Sequence, residues 1–314
     1  MNKWILAFMA AIVLFVGFVY VFIPKEIVVS KISIVNCVPN AVYRTICNEG
    51  KWKSWFPIER EAQNSFFYKG DSFQIGKEVP TAMEIKIRQK DGTEIQSIIN
   101  IVGIPYDSSA IQWQFKIAAG WNPIKRISQY KRAWDLKKNM AEILDRFCAY
   151  VKKKENIYGS KIELTTTMDT VLITTQKSFK KYPVTVDVYE QIRKLRAFIS
   201  RQDAVEMDHP MLNITEKDSA FVAIVAIPIN KSLPNSAFAG KDGISQERMV
   251  PGHYMTSMVS GGDSSIREAF RQMKLFFLDY AKTSVAIPYQ LLITDRLQEA
   301  DSGKWTTKIY APVY

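Results

Sequence analysis

Hydrophobic and polar positions follow different periods in successive stretches of this chain, and each period predicts an element. Trp4 to Ile23 is a run of 20 residues without a charge, WILAFMAAIVLFVGFVYVFI. As a helix it spans about 30 Å, the thickness of a bilayer's hydrocarbon core. Trp4 and Tyr20 stand near its ends, where amphipathic rings suit a membrane interface. Pro24 and Lys25 close it, and no small-residue cleavage site follows. Residues 1–25 therefore read as a retained single-pass anchor rather than a cleaved leader. Lys3 precedes the run while Lys25 and Lys31 follow it, so basic residues barely orient it. A head this short inserts most simply with the body outside the cytoplasm.

Ile27 to Val35 is rich in β-branched residues and predicts a strand. Pro39 then opens a helix at a position that tolerates proline. The segment from Lys51 to Pro57, KWKSWFP, is aromatic and helix-breaking. Strict alternation returns over Ala82 to Arg88. Lys90-Asp91-Gly92-Thr93 is a hairpin turn, with return strands over 93–102 and 109–117. From Ala133 to Glu155 the apolar positions Leu136, Met140, Ile143, Leu144, Phe147 and Val151 fall on one face of a long helix.

The second half carries an internal repeat. Val188, Ile192, Leu195 and Ile199 form one helical stripe, and Ile266, Phe270, Met273 and Phe277 form another, each 78 residues further on. Pro210 and Pro288 keep the same offset. Later, Ala226-Ile227-Pro228-Ile229 mirrors Tyr310-Ala311-Pro312-Val313. Each copy reads strand, helix, strand, strand, and two such modules would leave a groove between them, a usual place for a ligand.

Composition narrows the function. With 47% hydrophobic and 23% charged residues, neither disorder nor a polytopic membrane protein fits. Two histidines and three cysteines nearly exclude a His- and Cys-rich metal site, and neither a metal nor a cofactor is expected. Cys37 and Cys47 lie ten apart, which leaves their pairing open. The net charge of +11 sits mostly in residues 25–160, where 22 basic residues face 14 acidic ones. Without an RNA-binding signature or zinc finger, this excess reads as a solvated face, and no nucleic-acid partner is expected. His253 reads as an exposed loop residue, and Glu299 with Asp301 as solvated carboxylates rather than a metal pair.

Two resemblances follow from quoted residues. The segment VPNAVYRTICNEGKWKSWFP, through Val38, Pro39, Val42, Tyr43, Trp52, Trp55 and Pro57, resembles the START-like (SRPBCC, polyketide cyclase-like) superfamily. It implies a helix-grip fold over 26–160, often enclosing an apolar cavity; Trp113, Phe115 and the helix face are candidates to line it, although aromatic stripes are more often plain core. The ending Lys304 to Val313, with Pro288-Tyr289, Asp295 and the run from Arg248 to Tyr254 before Gly261-Gly262, resembles GyrI-like effector-binding domains. That resemblance implies a duplicated α+β module over 161–314 with an aromatic groove for hydrophobic, often cationic, molecules. Tyr254, Tyr289, Gln290, Trp305 and Tyr310 are its candidate ligand-binding residues.

The departures shape the expected ligand. Where the family commonly has an acid after the Pro-aromatic pair, this chain has Gln290, and Leu292 stands where a tyrosine is common. A neutral amide does not offset the cost of burying a cation. The expected ligand is thus neutral or weakly polar, and no catalytic residue is assigned. No DNA-binding helix-turn-helix accompanies the domain. The function expected is non-enzymatic, membrane-anchored binding or sensing of a hydrophobic small molecule. The alternatives are a cyclase or hydrolase using one of the pockets, or a lipid-handling protein.

Overall fold

The computed structural model describes residues 3–62, 65–79, 81–240, 243–284 and 286–313. The fold is mixed α+β, with two curled antiparallel sheets, and the chain divides into two compact units, Met1–Lys153 and Lys154–Tyr314.

The first unit opens with α1 (Lys3–Phe22), β1 (Glu26–Val35), α2 (Pro39–Ile46) and α3 (Glu49–Trp55). It continues with β2 (Arg60–Ala62), β3 (Ser65–Tyr68), β4 (Asp71–Val79), β5 (Ala82–Arg88), β6 (Glu94–Ile104), β7 (Ser108–Ala118) and α4 (Pro123–Val151). The strands order as β1-β7-β6-β5-β4-β3-β2. Helix α4 packs on β1 and β7 through the expected stripe: Leu136, Met140, Ile143, Leu144, Phe147 and Val151 are all buried. Each such side chain contributes about 1.5–3 kcal/mol of transfer free energy. Helix α1 is long and apolar enough to cross a membrane.

Two elements differ from expectation. The KWKSWFP segment is helical as far as Trp55, because Trp52 and Trp55 fall three apart and both turn inward. Helix α4 begins ten residues before Ala133. Asn122 caps it, its Oδ1 accepting from the N–H groups of Ile124 and Lys125, and Pro123 takes the first turn. Its first turns escape the core-facing pattern because Ile124, Tyr130 and Trp134 are exposed.

The second unit comprises α5 (Lys154–Tyr158), β8 (Glu163–Thr167), β9 (Val171–Phe179), α6 (Thr185–Arg201), β10 (Met211–Lys217), β11 (Ala220–Ile229) and β12 (Ile244–Arg248). Then come β13 (Gly252–Ser260), α7 (Asp263–Asp279), β14 (Tyr289–Leu292) and β15 (Thr306–Pro312). Tyr158 ties α5 to α7, its ring edge-on to Phe276 at 5.3 Å and its hydroxyl donating to Asp279 at 2.7 Å. The eight strands order as β12-β9-β11-β10-β14-β15-β13-β8. Helix α6 packs on β9 and β11, and α7 on β13 and β15. Gly261 makes the turn from β13 into α7 at φ +121°, where a Cβ would lie 2.5 Å from the Ser265 hydroxyl. All three cysteines, Cys37, Cys47 and Cys148, are free thiols.

Candidate functional site

The central strands of the second unit present two faces, because side chains alternate along a strand. Cross-strand partners define each face. Leu212 opposes Gln290, and Gln290 opposes Ile309. One residue along, Met211 opposes Leu291, and Tyr289 opposes Tyr310. The first set shares the side that Val188, Ile192, Leu195 and Ile199 of α6 cover. The second set forms a separate cluster with Leu172, Ala226 and Tyr254.

On the helix side, over β10 and β14, lies a hollow of about 820 Å3, within the ~300–1,000 Å3 usual for small-molecule sites. Ile266, Phe270, Met273 and Phe277 of α7 form one wall, so the second helical stripe serves the hollow as well as the core. Leu212, Gln290 and Ala311 form the floor, with Tyr182 and Phe221 also against the space. Arg267, Lys274 and Glu216 stand exposed around it. At the Pro288 end, the Asn213 amide donates to the Pro288 carbonyl at 2.7 Å, while its Oδ1 has no partner among the described residues.

Beside Gln290, on the same helix side of the sheet, sits a residue that sequence reasoning did not single out. Arg296 is buried, and its Nη2 donates to Gln290 Oε1 at 3.1 Å and Thr307 Oγ1 at 3.0 Å. Its Nη1 pairs with Asp263 in the first turn of α7 at 3.5 Å, and its guanidinium lies over the Trp305 ring at 4.8 Å. Its backbone N–H donates to the Tyr189 hydroxyl of α6 at 2.7 Å. Burial pushes the guanidinium below its ordinary value, opposed chiefly by Asp263, and an arginine stays protonated under such a shift.

The five candidate residues therefore do not line one groove. Gln290 lies on the floor of the hollow, while Trp305, outside its lining, flanks Arg296 and donates from Nε1 to the Glu299 carbonyl at 2.8 Å. Tyr254, Tyr289 and Tyr310 gather on the opposite face. Tyr289 and Tyr310 stack at 4.8 Å with an interplanar angle of 6°, and Tyr254 meets both rings edge-on. A smaller hollow of about 300 Å3 lies beside Tyr254 and Tyr289. Burial pushes the Tyr289 hydroxyl far up, with Tyr310 and Tyr254 adding to the effect. The separation follows from the period of two, which sends Tyr289 and Gln290 to opposite sides.

Other candidates take structural places. Asp301 accepts from the Gly303 N–H at 2.9 Å, and Glu299 accepts from the Asp301 N–H at 2.9 Å, so this pair closes a turn. His253 is exposed, with Nδ1 3.3 Å from the Thr166 hydroxyl. Among the described residues, no group of three or more His, Cys, Asp and Glu side chains could hold a metal ion.

In the first unit, Trp113 and Phe115 are core residues, the commoner place for such an aromatic stripe. Trp52 stacks on Phe56 and on Phe66, each at 5.1 Å, and Trp55 meets Phe147 at 4.8 Å. The Trp113 indole donates to Ser97 Oγ at 2.9 Å. A polar cleft of about 440 Å3 holds Lys69, Asp71, Lys90, Asp91, Arg132 and Glu142. Hydrogen bonding to Lys69 holds the Glu142 carboxyl low, whereas burial pushes that of Asp71 up.

No known protein family matches the chain, and no curated protein matches it. Solved structures are similar over parts of it. The C-terminal domain of EcmrR is 13% identical, covering 49% of this chain and 98% of that one, at a TM-score of 0.42. A protein bound to tetraphenylphosphonium is 14% identical over 49% of this chain and 94% of its own, at 0.33. A START superfamily protein from Mycobacterium smegmatis is 14% identical over 40% of this chain and 98% of its own, at 0.30.

Proposed function

We propose that this protein is a membrane-anchored, non-enzymatic binder or sensor of a hydrophobic small molecule, held in the hollow over β10 and β14. The observation that carries the reading is the hollow itself: about 820 Å3, walled by α7 and floored by Leu212, Gln290 and Ala311. Burying a ligand's apolar surface there contributes about 25 cal/mol per Å2 before ordering costs.

In this reading 161–314 is a GyrI-like domain built from a duplicated module. Its support is that β9-α6-β10-β11 and β13-α7-β14-β15 follow the same element order and mirror each other across the β10–β14 pair. Residues 26–160 form a START-like helix-grip domain, and 1–25 the anchor, with the body outside the cytoplasm. Contacts between α1 and its own unit favour retention of the anchor. Val19 is buried, the Tyr20 hydroxyl donates to the Trp121 carbonyl, and Arg126 lies over the Tyr20 ring at 4.6 Å.

Glu216 is the one carboxylate among the described residues lining the hollow, and it is exposed, so no convergent acid–base pair is at hand. The enzymatic reading draws on the polar cleft of the first unit, where Asp71 and Glu142 are shifted in opposite directions.

Ala311→Phe, which puts a larger side chain on the floor, tests the site. With the full chain in lipid nanodiscs, a neutral fluorescent hydrophobe such as 1-pyrenebutanol should bind above the level of empty discs. The variant should lose at least tenfold in affinity. Equal binding by both forms would place the ligand elsewhere.

A further inference from the structure

The floor of the hollow has a polarity that the amide alone does not reveal. Gln290 Oε1 is taken by Arg296 Nη2 at 3.1 Å. Among the described residues, its amide nitrogen has no hydrogen-bond partner, and Gln290 lies on the floor. An amide has one acceptor end and one donor end. With the acceptor committed to a buried guanidinium, what remains for a ligand is a donor with a positive charge behind it. The exposed cations Arg267 and Lys274 stand at the same hollow against the single acid Glu216. The walls between are hydrocarbon and aromatic, from Ile266, Phe270, Met273 and Phe277.

From this arrangement we infer that the hollow takes an acidic amphiphile, an apolar body with a carboxylate head directed at the Gln290 amide, rather than a neutral or cationic molecule. The inference rests on the small-molecule reading above and adds the chemistry of the head group. A carboxylate left in an apolar space without donors would be expelled or protonated. Here it meets a donor whose dipole Arg296 reinforces, and charge-assisted hydrogen bonds are about twice as strong as neutral ones. A cation meets the same donor end-on, with three basic side chains nearby, and receives no acceptor from the floor. The exposed cations also act before binding, drawing an anion toward the opening at low ionic strength.

The test uses the full chain in zwitterionic nanodiscs and three probes with one shared body: 1-pyrenebutyrate, 1-pyrenebutanol and 1-pyrenebutyltrimethylammonium. Energy transfer from tryptophan is measured, with partition into empty discs subtracted. The carboxylate should bind at least tenfold more tightly than the alcohol, and the ammonium most weakly. Gln290→Glu places an acceptor where the donor was. It should weaken the carboxylate at least tenfold and strengthen the ammonium. Arg267→Gln, at an exposed position on the rim, should lower carboxylate affinity several-fold and flatten its salt dependence, with a smaller loss for the alcohol. Alcohol or ammonium binding as tight as the carboxylate would overturn the inference while leaving the small-molecule reading intact. Carboxylate affinity unchanged in both variants would also overturn it. Binding of none of the three would overturn both.

Discussion

Arg296→Leu removes the charge beside Gln290, and its cost follows from the partners left behind. The arginine supplies donors to Gln290 Oε1 and Thr307 Oγ1, both in buried side chains. Leaving a buried acceptor without a donor costs about 1–3 kcal/mol each. The Thr307 hydroxyl can rotate to donate elsewhere, which places it at the low end of that range. Asp263, whose side chain is 38% exposed, rehydrates when its partner goes and adds little. Stacking on Trp305 is lost, while leucine replaces most of the arginine's apolar stem. The sum is about 2–4 kcal/mol, near the 3–5 kcal/mol typical of breaking a buried pair. For a unit of this size, ~3 kcal/mol corresponds to about 6–12 °C in Tm. Thermal unfolding of the full chain, with hydrogen exchange of β14 and β15 peptides to isolate this unit, measures it. Adding Gln290→Leu removes one orphaned acceptor, so the double variant should be about 1–2 kcal/mol more stable than the single costs add up to. A neutral or stabilised Arg296→Leu, with strictly additive costs, would refute the claim that this arginine organises the floor.

Two further expectations concern the first unit. Residues 4–23 should remain attached and hold the protein in membranes through alkaline carbonate extraction; a soluble product beginning near residue 25 would contradict this. Burial pushes the Cys47 thiol up to about 11 from an ordinary value of 9.0, so the folded state favours its protonated form. Its contribution to stability is therefore complete below pH ~9 and is lost as pH rises toward 11. Alkylation of Cys47, which is half-buried, by iodoacetamide, read by mass spectrometry, should stay slow at pH 8.5 and accelerate above about pH 10; rapid reaction at pH 8.5 would show that its partial burial does not raise the thiol.

Much of the scaffold was legible because periodicity reports burial directly. The stripes Val188 to Ile199 and Ile266 to Phe277 became α6 and α7 on one side of the second sheet. The alternation over Ala82 to Arg88 became β5, with Met83, Ile85 and Ile87 inside. The start of α4 was not legible, since a cap and a proline define it while its exposed Ile124 and Trp134 obscure the amphipathic pattern. The candidate site was legible in part. The same period of two that predicts strands also separates Tyr289 from Gln290, so adjacency in the chain already carries that signal. Arg296 offers no comparable signal: a single arginine after Asp295 in a polar turn resembles a solvated residue. Its role arises from contacts to α6, α7 and β15 that only the fold brings together.

The central claim is that the helix-side hollow holds an acidic hydrophobic molecule. Native mass spectrometry of the full chain released from nanodiscs, run beside Ala311→Phe, tests it most directly. The account predicts a retained small molecule with an apolar body and a carboxylate, present in the unaltered protein and depleted in the variant. A lipophilic cation retained equally by both proteins would contradict it.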